Sequence, residues 1–409
     1  VSRFLCVGDL HLDAGPDLGR APGDRLREQE DVWRRCLEIA VEQEVDAILF
    51  AGDAFHKARP SPEALLAFER PLVESDRSPA KMPPVALPSG FEVELLIPQR
   101  PPPIIAILGN HDVAGASLGT GLEVFAEAGL LTLAREPAIH AVAGVGIACL
   151  PWVAASRVVA AQGGGDRDFV NAHAAELLVA TARGLREQID GPAILLTHFS
   201  ISGSALPNGL PVEQLREPVL ELGDLEALGF DAIVAGHIHA PQAFGEGTFY
   251  VGSPMPLSFG EAETDHGVWI LDAGRYTAFA PIESRSLVTL DLDHVQVEDW
   301  IERAETFIDP EEYAVEGAII RVRIHATQEQ ARRLDVPALK RNLVEQGAHK
   351  VYAVQLEIEK PERARVEGLT EELDELAALD LWMEASEING DRATELRERT
   401  ERYLGVVRA

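Results

Sequence analysis

The stretch Arg3-Phe4-Leu5-Cys6-Val7-Gly8-Asp9-Leu10-His11 decides the fold: an apolar run stops at a glycine, and two side chains able to bind metal follow at once. The same grammar recurs four times. The apolar runs Ala47 to Ala51, Ile104 to Leu108, Ile194 to Thr197 and Ala232 to Ala235 each end in a polar cluster. Those clusters are Gly52-Asp53-Ala54-Phe55-His56, Gly109-Asn110-His111-Asp112, Thr197-His198 and Gly236-His237-Ile238-His239. Short apolar runs alternating with helical stretches predict an α/β domain. Between the first two runs, Arg25 to Glu44 sets Val32, Cys36, Ile39 and Ala40 on one helical face and reads as a crossover helix. Polar residues gathered at the carboxyl ends of successive strands are where open α/β sheets hold ligands.

A single Gly-Asp is ordinary in a turn, and a single histidine is ordinary on a surface or in a core. Five such clusters in the same strand-end context are not ordinary. Asp9, His11, Asp53, Asn110, His198, His237 and His239 together offer carboxylate, imidazole and amide oxygen, a mixture that suits Mn, Fe or Zn better than Mg or Ca. Two ions about 3.5–4 Å apart need a bridging carboxylate and roughly three further ligands each, which seven residues can supply. Glycine beside the ligands lets the backbone turn sharply and approach closely.

In order and spacing these clusters resemble the signature of the calcineurin-like metallophosphoesterases: Asp-x-His, Gly-Asp, Gly-Asn-His-Asp/Glu, His, Gly-His-x-His. Two longer strings are similar to the SbcD-type nuclease subunits of DNA break repair: Gly52-Asp53-Ala54-Phe55-His56-Lys57-Ala58-Arg59-Pro60-Ser61-Pro62 and Gly252-Ser253-Pro254-Met255-Pro256-Leu257-Ser258-Phe259. The resemblance implies a β-sandwich flanked by helices, a small α+β capping domain and a C-terminal helical segment. It implies that Asp9, His11, Asp53 and His239 bind one ion and that Asp53, Asn110, His198 and His237 bind the other, with Asp53 as the bridge. The ions would be two divalent metals, Mn2+ first and Fe2+ or Zn2+ as alternatives. In-line attack on a phosphodiester would follow, with His111 as proton donor or stabiliser for the leaving oxygen. His56 resembles a position near the substrate strand, and Asp112 is expected to orient a site histidine. Lys57 and Arg59 can reach phosphates or simply be solvated. Phe55 argues against an iron-tyrosinate site. His140, His173, His266, His294, His325 and His349 fall outside every motif.

With 409 residues, 46% of them hydrophobic and 25% charged, the chain reads as folded and multidomain. The expected domains are 1–281 for the phosphoesterase, 282–360 for the cap and 361–409 for helices that dock on a partner. After about Ala280 the pattern becomes strand, helix, strand, helix, strand, with helices beginning near Asp299 and Pro337. Beyond Pro361, apolar positions from Leu369 to Trp382 and a break at Asn389-Gly390 predict two short helices. Residues 71–103 are proline-rich and predict a surface excursion without regular helix, for which the family offers no counterpart.

The net charge of −31 excludes a protein that grips nucleic acid by a broadly basic surface. Three scattered cysteines, a first strand without a leader and no apolar run near the roughly 18 residues of a membrane span point to a cytoplasmic protein that meets no membrane. The resemblance implies a manganese-dependent three-prime-to-five-prime exonuclease and single-strand endonuclease, acting on DNA as a homodimer with an SbcC-type coiled-coil ATPase. The alternative is a metallophosphatase or phosphodiesterase for small molecules or phosphoproteins, because fold and metal site are shared across the superfamily. A scaffold that has lost catalysis is disfavoured by the completeness of the ligand set.

Overall fold

Strand β1 (Arg3–Val7) is apolar on both faces because both are covered: Phe4 and Cys6 enter one core while Leu5 and Val7 enter another. Alternate residues of a strand point to opposite sides, so a run apolar throughout belongs inside a sheet covered twice. The computed structural model describes residues 2–75, 79–81, 85–86, 92–93, 96–98, 101–113, 119–158, 166–245, 247–272, 276–303, 314–358, 373–386 and 388–407.

Along the chain β1 is followed by helix α1 (Asp24–Glu42), β2 (Ala47–Phe50), helix α2 (Pro62–Ser75), β3 (Ile104–Ile107) and β4 (Thr132–Ala134). Next come β5 (Ala138–Val142), β6 (Val145–Leu150), helix α3 (Arg167–Arg186), β7 (Ala193–Thr197), β8 (Ala232–Ala235), β9 (Gln242–Phe244) and β10 (Thr248–Tyr250). Two further strands, β11 (Gly267–Asp272) and β12 (Tyr276–Pro281), complete the set. They form two six-stranded sheets, ordered β12-β11-β1-β2-β3-β4 and β9-β10-β8-β7-β6-β5. The central pairings β1–β2, β2–β3, β6–β7 and β7–β8 are parallel, and antiparallel strands close the edges at β11–β12, β5–β6 and β9–β10.

The two sheets share a core in which Phe4, Leu49, Ile105 and Ile107 meet Ile147, Ile194, Val234 and Phe249. Helices α1 and α2 cover the outer face of the first sheet, where Trp33 stacks on Phe68 at 5.2 Å and gives its indole N–H to the Phe68 carbonyl at 3.1 Å. Helix α3 covers the second sheet through Leu178, Ala182 and Leu185. The result is the expected α/β sandwich flanked by helices, and the carboxyl ends of β1, β2, β3, β7 and β8 all carry the polar clusters.

Two expectations need correction. Residues 71–103 do not lack regular structure from their start, because α2 runs through Pro71 to Ser75. The buried contacts of Ala64, Ala67, Phe68 and Leu72 outweigh the loss of one amide, which costs a helix interior about 3 kcal/mol. Farther on, Pro79–Lys81 pairs antiparallel with Leu96–Pro98, and Val85–Ala86 with Glu92–Val93; residues 101–103 carry no helix or strand, and the remainder of the excursion lies outside the described residues. The first helix of the following region starts at His294, not near Asp299. Asp293 is its cap: its carboxylate takes the amides of Val295 and Gln296, both at 2.9 Å, while the Gln296 side chain returns to the Asp293 amide at 3.0 Å. That reciprocal arrangement ends the strand and starts the helix about five residues earlier than apolar spacing suggests.

The described chain divides into two compact units. Val1–Asp291 forms the first with Arg303–Arg323 and Asp335–Gln355; Leu292–Glu302, Ile324–Leu334 and Leu356–Ala409 form the second. In the second, the side chain of Gln330 bonds the His294 carbonyl at 2.9 Å and Glu298 at 3.0 Å. Its two terminal helices are Glu375–Ala385, capped by Asp374, and Asp391–Val407, joined by an Arg397–Asp380 ion pair. Trp382 and Tyr403 are exposed there. Leu369 and Glu359 lie outside the described residues. Among the described residues, no helix is long and apolar enough to cross a membrane.

Candidate metal centre

The loops that leave β1 and β2 are zipped together before any side chain is considered. The Asp9 amide donates to the Gly52 carbonyl at 2.9 Å, His11 to Asp53 at 3.1 Å and Leu12 to Ala54 at 3.0 Å. The turns are tight enough that Asp9, His11, Asp53 and His237 all take positive φ, at 50°, 43°, 54° and 92°. Left-handed backbone at a non-glycine residue costs about 1–3 kcal/mol and persists only where its surroundings enforce it. Glycine fits between these turns because nothing larger can. A Cβ at Gly109 would fall 2.1 Å from Asp53 Oδ1, and one at Gly236 would fall 2.3 Å from the Ala51 carbonyl oxygen.

The five clusters converge at one end of the two sheets. Asp53 Oδ2 lies 3.4 Å from both His11 Nε2 and His198 Nε2, so one carboxylate faces two separate imidazoles. Asn110 Oδ1 lies 3.1 Å from His198 Nε2 and 2.9 Å from His237 Nδ1. His239 Nε2 and His11 Nε2 are 3.1 Å apart. Asp9 takes the His237 amide on both oxygens at 3.1 Å and stands 4.0 Å from His11 Nε2. Two groups in this cluster have ligand atoms within 4.8 Å of one another and can hold a cation, Asp9-His11-His239 and Asp9-Asp53-His198; a third is His11-His56-His111.

The electrostatics fit metal ions. Burial pushes the Asp9 carboxyl above its ordinary range. Burial opposes charge on Asp53 too, but His198, His11 and His111 overcome it and hold that carboxyl well below the usual range. Burial likewise opposes a proton on His198, yet Asp53 and Asp9 push it up to about 9. His11, buried among other imidazoles, is driven well down. Among the described residues, the ion-pair partners of Asp9 and Asp53 are imidazoles, not lysine or arginine. Two ring nitrogens 3.1 Å apart, as in His11 and His239, cannot both point hydrogens at each other. Such a cluster is neutralised either by protons or by cations.

His111 sits beside this group, its amide on Asp53 Oδ1 at 2.8 Å and its ring Nδ1 against the His56 carbonyl at 2.9 Å. A carbonyl only accepts, so Nδ1 carries the hydrogen and Nε2 is left for other work. The His56 ring is exposed, stacks on His111 at 5.3 Å between centroids and meets His11 at 5.6 Å. Asp112 is buried but, among the described residues, bonds no imidazole. Its Oδ2 takes the amides of Asp53 at 2.8 Å and Gly109 at 3.0 Å, so the expected histidine partner is replaced by two backbone groups.

Compared with known sequences, residues 2–241 match the calcineurin-like phosphoesterase family. The chain belongs to that family. Its members are phosphoester hydrolases built on a two-metal site, and the donors for such a site are assembled here.

Among relatives of this phosphoesterase is the SbcD component of the SbcCD nuclease of Rhodobacter capsulatus, 29% identical over 58% of each chain. Another is the DNA double-strand break repair protein Mre11 of Haloferax volcanii, 30% identical over 38% of this chain and 29% of that one. The chain spans less than two thirds of the length of either. A solved dimetal phosphatase from Danio rerio covers 66% of this chain and 92% of that one at 10% identity, with a TM-score of 0.35.

The phosphoesterase site also contains two side chains that the motifs do not reveal. Glu217 accepts from His237 Nε2 at 2.6 Å and from the Ser200 hydroxyl at 2.6 Å. Glu261 accepts from His239 Nδ1 at 3.1 Å. Burial raises both carboxyls, but the hydrogen bonds from those histidines outweigh it and hold both below the ordinary range. Glu217 adjoins no glycine-bearing cluster. Glu261 alone had a signal, since it follows the Gly252-to-Phe259 string by two positions.

Proposed function

We propose that this chain is a two-metal DNA nuclease subunit of the SbcD and Mre11 kind, acting in break processing. The observation that carries the reading is Asp53: one buried carboxylate oxygen lies 3.4 Å from both His11 and His198, which supports a bridging role between two ions. In this reading Asp9, His11, Asp53 and His239 would hold one ion, and Asp53, Asn110, His198 and His237 the other. The names of the two nuclease relatives support the choice of substrate. Mn2+ is the ion we assign first, with three-prime-to-five-prime exonuclease and single-strand endonuclease as the activities.

When bound, the two ions supply Lewis acidity toward water and the phosphate oxygens. The protein supplies the rest. Asp53 and Asp9, both buried, set the negative field that would gather cations among these donors. The His56 carbonyl holds His111 Nδ1–H, so a proton on His111 Nε2 is the one delivered to the leaving oxygen. Asp112 locks the turns carrying Asp53 and Asn110 to one another.

Residues 282–360 are assigned as a cap that selects DNA and 361–409 as a docking segment for an SbcC-type coiled-coil ATPase, with the chain as a cytoplasmic homodimer. The net charge of −31 supports recruitment of DNA by bound cations and a partner. Manganese-dependent turnover on linear DNA, a cyclic nucleotide and an aryl phosphate should favour DNA by the largest margin. A preference for either small substrate would replace this reading with a phosphatase or phosphodiesterase.

A further inference from the structure

The two histidines of Gly236-His237-Ile238-His239 turn opposite ring nitrogens toward the cluster. His237 presents Nδ1 to Asn110 Oδ1 at 2.9 Å and has Nε2 on Glu217 Oε1 at 2.6 Å. His239 presents Nε2 to His11 at 3.1 Å and has Nδ1 on Glu261 Oε1 at 3.1 Å. An ionised carboxylate only accepts hydrogen bonds, so the nitrogen it faces must carry the hydrogen. In a neutral imidazole the other nitrogen then carries the lone pair. With a cation on the inward nitrogen, the two glutamates therefore impose opposite tautomers on two histidines separated by a single residue.

We infer that Glu217 and Glu261 are positioning residues of the metal centre, each holding one of these histidines with its inward nitrogen free for a cation. The inference rests on the two-metal reading above. It gives a use to two loops that carry no ligand. Both glutamates are themselves fixed: Ser200 donates to Glu217 Oε1 at 2.6 Å, while Glu261 takes the Leu257 amide on Oε2 at 2.8 Å and the Ser258 hydroxyl on Oε1 at 3.2 Å. His198 is treated differently, since its Nδ1 meets the Ala51 carbonyl at 2.6 Å. A carbonyl sets the tautomer without adding charge, whereas a carboxylate also makes the imidazole a stronger donor to a metal. Each half of the centre thus contains one carboxylate-backed histidine, Glu217 behind the His198 and His237 half and Glu261 behind the Asp9 and His11 half.

The test is titration of the metal-free full chain with Mn2+ by calorimetry, with elemental analysis of the ions retained. Wild type should take up two ions. Glu217→Ala should weaken one binding event by about 10- to 100-fold and Glu261→Ala the other, the usual effect of losing such a partner. Glu217→Gln and Glu261→Gln should recover much of the loss, because an amide oxygen still accepts from the ring N–H. Ser200→Ala should weaken the same event as Glu217→Ala, by a smaller factor. The assignment is overturned if both alanine variants bind two ions as tightly as wild type. It is equally overturned if the glutamine variants are no better than alanine and melt as early in the metal-free state, since the glutamates then only support the fold. Failure of the wild-type chain to bind two ions would instead defeat the two-metal reading, and this assignment with it.

Discussion

The Asp53 amide donates to Asp112 Oδ2 at 2.8 Å, and the same oxygen takes the Gly109 amide at 3.0 Å. One carboxylate therefore ties the turn after β2 to the turn after β3, and with them Asp53 to Asn110. Asp112 is fully buried, its other oxygen has no partner among the described residues, and burial reinforced by the charge of Asp53 pushes its carboxyl up to about 7. A group held at such a disadvantage is expected to matter to what it holds. Asp112→Ala should cost about 1–3 kcal/mol for each amide left without an acceptor, while Asp112→Asn should restore part of it. Denaturant unfolding of the metal-free chain measures both, and an alanine variant as stable as wild type would refute the tie.

Gly109 permits the closest approach in the site. An added Cβ would lie 2.1 Å from Asp53 Oδ1 and 2.6 Å from the Asp53 amide nitrogen, so Gly109→Ala must displace the Asp53 carboxylate or its turn. Overpacking of this kind costs about 1–3 kcal/mol. The variant should fold with a lowered melting temperature and retain fewer than two Mn2+ by elemental analysis; two retained ions would contradict Asp53 as the bridge.

His111 is not one of the seven ligands proposed above, and its ring is anchored through Nδ1. His111→Leu should leave two bound metals while lowering strand cleavage by about 100- to 10,000-fold, the range that proton transfer contributes. Cleavage at the wild-type rate with both ions present would remove His111 from the mechanism.

The pH response of the metal-free chain follows from His198. Its folded pKa is raised to about 9, above the ordinary histidine value of 6.5, so the folded state holds more protons than the unfolded state between those values. Stability from this group is fully present below pH 6.5 and is lost as pH rises through about 9. A cation that takes Nε2 must displace that proton. Urea melts across this window should show metal-free stability falling with pH, and Mn2+ binding at pH 7 should release protons, visible as a binding heat that changes with the buffer's own ionisation enthalpy. Uptake without proton release would mean that His198 is not a ligand.

The sandwich was legible because burial on both faces leaves the central strands few polar positions: β1, β2, β3, β7 and β8 lie within a residue of the runs read from apolar content alone. Helix α2 was misjudged at Pro71 because local propensity ranked the proline above the packing of Phe68 and Leu72, which only the folded core provides. The start at His294 was missed because a reciprocal cap between Asp293 and Gln296 outranks apolar spacing.

By itself the sequence determined the α/β architecture and the inventory of metal-binding chemistry, since strand ends punctuated by glycine and a ligand are local patterns. Only the tertiary structure decided how those groups share the space. It set Asp53 between His11 and His198, exchanged the expected imidazole partner of Asp112 for two amides, and brought Glu217 and Glu261 behind the histidines of a single turn. Such relations join residues 20 positions apart in Glu217–His237 and 59 apart in Asp53–Asp112. Contacts of that span depend on how strands and sheets pack, and nothing in a local run of sequence encodes the distance between them.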